Sequence, residues 1–132
     1  MGEVIVLRNE ESKALLIEEQ PGINWYSCSL ASGDERLELG AESRTYIVSH
    51  LLAALRGSGE ITGQINGKNV QWALSLAERH FSLYVQPSGD EKLFYWQSPD
   101  GQSFHVMHIS PRDSQSWQHQ LESWQEQTEP TS

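Results

Sequence analysis

A chain of 132 residues is the length of one domain. With 37% hydrophobic and 20% charged residues it is globular in composition and long enough to bury a core without disulfide or metal staples. Nine basic residues against 18 acidic ones give a net charge of −9, a field that repels polyanions and disfavours nucleic acid and anionic membrane as partners.

In chain order, Val4 to Leu7 is a short β-branched run, Asn9 to Lys13 is polar and turn-like, and Ala14 to Glu18 is apolar again. The three read as a hairpin. Pro21-Gly22 signals a turn. From Trp25 to Leu30, strand alternation sends Trp25, Ser27 and Ser29 to one face and Tyr26, Cys28 and Leu30 to the other. Ser32 to Glu35 turns the chain into Arg36-Leu37-Glu38-Leu39, whose alternation predicts a half-wet strand.

Residues 41–56 carry apolar side chains at helical spacing: Ile47, Leu51, Ala54 and Leu55 share a stripe, with Val48 and Leu52 beside it. Glu42 and Arg56 suit the two ends of the helix dipole, and Gly57 suits the C-terminal cap. Gly57-Ser58-Gly59 reads as a hinge between two halves.

Strands then resume. Ile61 to Ile65, Asn66-Gly67 and Val70 to Leu76 form a tight hairpin. Turns at 78–80, 87–90 and 98–101 separate Phe81 to Val85, Leu93 to Trp96 and Phe104 to Ile109. Ser110-Pro111-Arg112-Asp113 has the pattern of a helix start, and Trp117, Leu121 and Trp124 form one apolar seam. The expected fold is α+β, antiparallel β-meanders with two helices in the order ββββ-α-βββββ-α. It is one domain over 1–126, followed by a frayed polar tail at 127–132. This element order is similar to the duplicated sheet-plus-helix arrangement of Whirly-like single-strand-binding folds, a likeness of order with no motif beneath it.

Chemistry-bearing patterns are sparse. His105 and His108 are three apart on a strand and so point to opposite faces, where they cannot share one ion without a bulge. No His, Cys and carboxylate set has zinc spacing, so no metal and no cofactor is expected. Cys28 stands alone in an apolar strand, which excludes an intrachain disulfide and suits a packed thiol better than a nucleophile. The glycines at 57, 59 and 63 follow a helix and precede a strand, the reverse of a phosphate loop. Residues 1–8 lack the basic start and long apolar stretch of a signal peptide, and no segment reaches the roughly 20 apolar residues of a membrane span. The expected location is cytoplasmic.

What the sequence offers instead is aromatic strands. Phe94 and Trp96 face one way, Leu93 and Tyr95 the other; Tyr84 stands opposite Leu83 and Val85; Trp72, Leu74 and Leu76 read as a one-sided row. One sheet face must be core, and aromatics on the other suit a partner, because interface centres favour Tyr, Trp and Phe.

The expected function is a non-enzymatic binding or adaptor protein, regulatory or immunity-like, working by contact with a protein of basic character. The expected contact residues are Tyr84, Glu91, Tyr95 and Trp96. The alternatives are a single-stranded nucleic-acid binder of Whirly-like architecture, limited by the thin supply of cations at Lys68, Arg79 and Lys92, and a small-molecule carrier with Trp25, Cys28, Trp72 and His105 lining its pocket. An edge strand at Val4 to Leu7 would suit pairing in a homodimer.

Overall fold

The computed structural model describes residues 2–22, 24–57 and 60–126. The tail at 127–132 and hinge residues 58–59 lie outside them. The strands are β1 (Val4–Arg8), β2 (Lys13–Glu19), β3 (Tyr26–Ser32) and β4 (Glu35–Glu42), followed by helix α1 (Arg44–Arg56). Then come β5 (Ile61–Ile65), β6 (Lys68–Ser75), β7 (Ser82–Ser88), β8 (Glu91–Gln97), β9 (Phe104–Ile109) and helix α2 (Pro111–Glu126). The order is the expected ββββ-α-βββββ-α, and within each sheet consecutive strands pair antiparallel, while β4 and β5, on either side of α1, do not pair. The result is a four-stranded meander and a five-stranded meander.

Both sheets and both helices feed one core. From the first sheet come Leu7, Leu15, Ile17, Cys28 and Leu39; from the second, Leu74, Leu83, Val85, Phe94, Trp96, Met107 and Ile109. Helix α1 contributes Ile47, Val48, Leu51, Leu52 and Leu55, and α2 contributes its whole apolar seam of Trp117, Leu121 and Trp124. Seam residues on a mostly polar helix are this deeply buried because α2 packs on α1 and reaches β1 and β9. Burying two indoles demands partners for their N–H groups. Trp117 donates to the Arg8 carbonyl at 2.7 Å and Trp124 to the Glu3 carboxylate at 2.7 Å.

The sheets meet at one corner. Ala41 and Ala77 exchange backbone hydrogen bonds at 3.0 and 2.9 Å, an isolated antiparallel bridge between the end of β4 and the chain after β6. The bridge explains the first departure from the sequence reading. Ala41 and Glu42 belong to β4, so α1 begins at Arg44 with Ser43 as its cap, and Glu42 lies outside the first turn. Tertiary pairing has taken two residues that helical periodicity alone assigns to the helix. Pro87 likewise sits inside β7 rather than in the turn, opposite Lys92, and the reversal is made at Gly89 and Asp90. At the start of α2, the Ser110 hydroxyl accepts from the Asp113 N–H at 3.1 Å as expected. The Asp113 carboxylate reaches outward to the Glu10 N–H at 3.1 Å, fastening the helix start to the β1–β2 turn.

No helix among the described residues is long and apolar enough to cross a membrane.

Candidate functional site

The second sheet has one face in the core and one turned away from it. Register assigns the outward face: Lys68, Val70 and Trp72 on β6; Ser82, Tyr84 and Gln86 on β7; Glu91, Leu93, Tyr95 and Gln97 on β8; Phe104, Val106 and His108 on β9. Helix α1 meets this sheet at β6 and α2 meets it at β9.

A belt of aromatic rings crosses that face. It begins on the flank of α1, where Tyr46 and His50 stack with centroids 4.0 Å apart. His50 meets Trp72 edge-on at 6.0 Å. Trp72 lies beside Tyr84 across the β6–β7 ladder, and Tyr84 lies beside Tyr95 across the β7–β8 ladder. Tyr95 meets Phe104 edge-on at 6.5 Å. Trp72 is 41% exposed and Phe104 37%, large values for such side chains, while Tyr84 and Tyr95 are half-buried.

The polar handles of the belt are tied down within the face. The Tyr95 hydroxyl donates to Gln86 Oε1 at 2.6 Å, and Trp72 Nε1 donates to Ser75 Oγ at 3.3 Å. Ser75 Oγ in turn lies 2.9 Å from Ser82 Oγ. Rings held this way lose little side-chain freedom on meeting a partner, which lowers the entropic cost of binding. Tyr46 closes the exposed part of the β6 edge, its hydroxyl accepting from the Ser75 N–H at 3.0 Å.

Three of the four expected contact residues share this face: Tyr84 and Tyr95 in the belt, and Glu91 exposed at its end. Trp96 does not. It is 0% exposed and packs into the core, because alternation along β8 sends Phe94 and Trp96 inward when Leu93 and Tyr95 point out. It is thus unavailable to a docking protein, and its Nε1 has no hydrogen-bond partner among the described residues.

The belt residue that sequence reading misplaces is Trp72. A one-sided row with Leu74 and Leu76 assumes unbroken pleating, but a bulge interrupts β6 between Trp72 and Leu74 and sends Trp72 outward while Leu74 stays in the core. Nothing in the local sequence marks that bulge. The proposed pocket lining of Trp25, Cys28, Trp72 and His105 is likewise dispersed: Cys28 is in the core, Trp72 on the outer face, and His105 at the β9 edge near Phe81.

A concavity lies beside the belt. It is a cleft of about 710 Å³ between β9 and the β3–β4 hairpin, lined by Leu30, Leu37, Phe104 and Val106 and by the charged Lys13, Arg36 and Glu35 among others. Arg36 is held by Glu18 and by Glu38 at 3.5 Å. Lys13 donates to the Val106 carbonyl at 2.9 Å, and no carboxylate among the described residues lies within ion-pair distance of it.

Cys28 is not poised as a nucleophile. Burial pushes the Cys28 thiol up to about 12, with the Glu38 and Glu42 charges adding in the same direction. A thiol so displaced is protonated and a poor nucleophile at neutral pH. No group of three or more His, Cys, Asp or Glu that could hold a metal ion occurs among the described residues.

The fold and the face together describe an α+β domain with an aromatic, nearly neutral sheet surface. No protein-family model matches the chain, and neither the curated proteins nor the solved structures include a match. The likeness to Whirly folds therefore stays one of element order.

Proposed function

We propose that this protein is a non-enzymatic binding protein that acts through protein–protein contact, with the outward face of β6–β9 as its contact surface. The observation that carries the reading is the aromatic belt running from Tyr46 to Phe104 across that face. Aromatic side chains concentrate binding energy at interface centres, and rings fixed by their own hydrogen bonds approach a partner already ordered. The surrounding charge of −9 steers a partner whose rim is basic.

Base stacking by single-stranded nucleic acid would use the same rings but needs cations among them to hold the phosphates. The strands bearing the belt offer Lys68 on that side, and Glu91 on the same face offsets it. The charge balance thus favours protein over polynucleotide.

The test replaces Tyr84 with a photo-crosslinking amino acid in the native host. A discrete protein adduct is expected, lost when Trp72 and Tyr95 are changed to Ser, with no adduct from the same probe at Val6 on the first sheet. An adduct to nucleic acid, or the same adducts from both probe positions, sinks the reading.

A further inference from the structure

The cleft beside the belt contains an unpaired strand edge. β9 is the last strand of its sheet and, among the described residues, pairs with β8 alone. The ladder alternates between pairs that exchange hydrogen bonds and pairs that do not. The bond from the Ser98 N–H to the Ser103 carbonyl, at 3.0 Å, fixes the phase. Phe104, Val106 and His108 are then the positions whose N–H and C=O point away from β8. Two of those carbonyls are taken from the other side, Val106 by Lys13 Nζ at 2.9 Å and His108 by Asn9 Nδ2 at 3.1 Å, which confirms the phase. Among the described residues the Val106 N–H and both backbone groups of Phe104 have no partner. They open into the cleft, whose opposite wall is Leu30 and Leu37 of the first sheet.

We infer that the cleft receives an extended peptide that adds to β9 as a further antiparallel or parallel strand, with one carboxylate of that peptide against Lys13. The N–H and C=O of Phe104 and the N–H of Val106 would supply main-chain affinity, and side chains on alternate positions of the peptide would fall on the half-buried Leu30 and Leu37. The carboxylate follows from charge. Lys13 is half-buried and has no carboxylate partner among the described residues of a strongly acidic protein, whereas Arg36 beside it is already occupied. A net charge of −9 disfavours a peptide bearing many acids, so a single carboxylate between apolar residues fits best. The inference stands on the β9 edge and not on the aromatic belt. It shares with the proposed function the idea that the ligand is polypeptide.

The test is selection from a random-sequence decapeptide library on the full chain, followed by affinity measurement with the enriched peptides. Enriched peptides are expected to alternate apolar residues around one carboxylate and to slow amide exchange at Phe104 and Val106. Lys13→Met is expected to weaken them at least tenfold, as is replacing the peptide's carboxylate by the amide. Val106→Pro is a second probe. It removes an N–H that points into the cleft and leaves the β8–β9 ladder its bonds, as proline on a strand edge allows. Circular dichroism confirms that each variant is folded. Failure to enrich any peptide overturns the inference. So do peptides whose affinity moves less than twofold with both variants, and if those peptides are lost on Tyr84→Ser the contact face is the belt and the proposed function survives.

Discussion

Cys28 shows how completely the surroundings of one residue determine its chemistry. It sits at 2% exposure in the core side of β3, opposite Ile17 and Gly40, with the carboxylates of Glu38 and Glu42 near enough to oppose a thiolate. Its titration is raised from the ordinary value of 9.0 to about 12. A group that holds its proton more tightly when folded gives its full contribution to stability below the unfolded value, and that contribution is lost as pH rises toward the folded one. Stability should thus fall between pH 9 and about 12, with this thiol accounting for a slope of up to about 1.4 kcal/mol per pH unit. Tyr26 adds in the same sense above its ordinary value of 10.0, because burial comes first among the causes that raise it and the Glu19 and Glu3 charges follow. Urea denaturation of the parent and of Cys28→Ala across that range checks the claim. The variant should lose part of the alkaline slope, and an unchanged slope would show that the thiol does not titrate in the unfolded chain as supposed. Iodoacetamide at pH 8 should label the native protein far more slowly than the unfolded one.

At the scale of elements, the joint between the sheets rests on Gly40. Its φ of +129° is one that side chains rarely adopt, and a Cβ there would come within 2.3 Å of the Ala77 carbonyl oxygen and 2.8 Å of Leu76 Cβ. Neither obstacle can rotate away, since one is backbone and the other the first atom of a buried side chain. Gly40→Ala should cost about 3 kcal/mol or more, through strain together with displacement of the Ala41–Ala77 bridge. Gly22→Ala is the control: its φ of +79° is also left-handed, but nothing lies within 4 Å of the added carbon. That variant should cost about 1–2 kcal/mol, the price of the backbone conformation alone. Equal losses of stability in the two, measured by chemical denaturation, would remove the close approach as an explanation.

The same joint marks how far the sequence could be read. Strand alternation located the two faces of β8, and helical spacing located α1 and α2, because both signals repeat within a few residues. The boundary of α1 was misread by helical periodicity because Ala41 answers to Ala77, 36 positions away in sequence. Trp72 was misread because a bulge changes which side a residue faces without changing residue type. The cleft had no local signal at all: Lys13 reaches Val106, Asn9 reaches His108, and those pairings exist only once the two meanders are folded together. Within the belt, Tyr84 and Tyr95 were legible from alternation, while the stack of Tyr46 on His50 was not, since a tyrosine and a histidine four apart on a helix ordinarily signify nothing beyond a helix flank.

For the molecule as a whole, core and surface divide the aromatic residues by task, and the division can be tested. Trp96, Trp117 and Trp124 are enclosed, and Trp117 and Trp124 satisfy their indole N–H groups across elements, so truncation of either leaves a cavity and an orphaned acceptor. Trp72 and Phe104 lie at the two ends of the exposed stretch of the belt, and removing either uncovers little that water does not already reach. Trp72→Ser and Phe104→Ser should each cost less than about 1 kcal/mol, whereas Trp117→Ala should cost about 3–5 kcal/mol. If the exposed rings serve binding rather than stability, the double variant Trp72→Ser/Phe104→Ser should melt within a few degrees of the parent and yet lose the protein adduct at Tyr84. Large destabilisation in the double variant would mean that the belt is a second packing layer. It would then be stability, not contact with a partner, that accounts for a row of six rings, two on the flank of α1 and four across the sheet face.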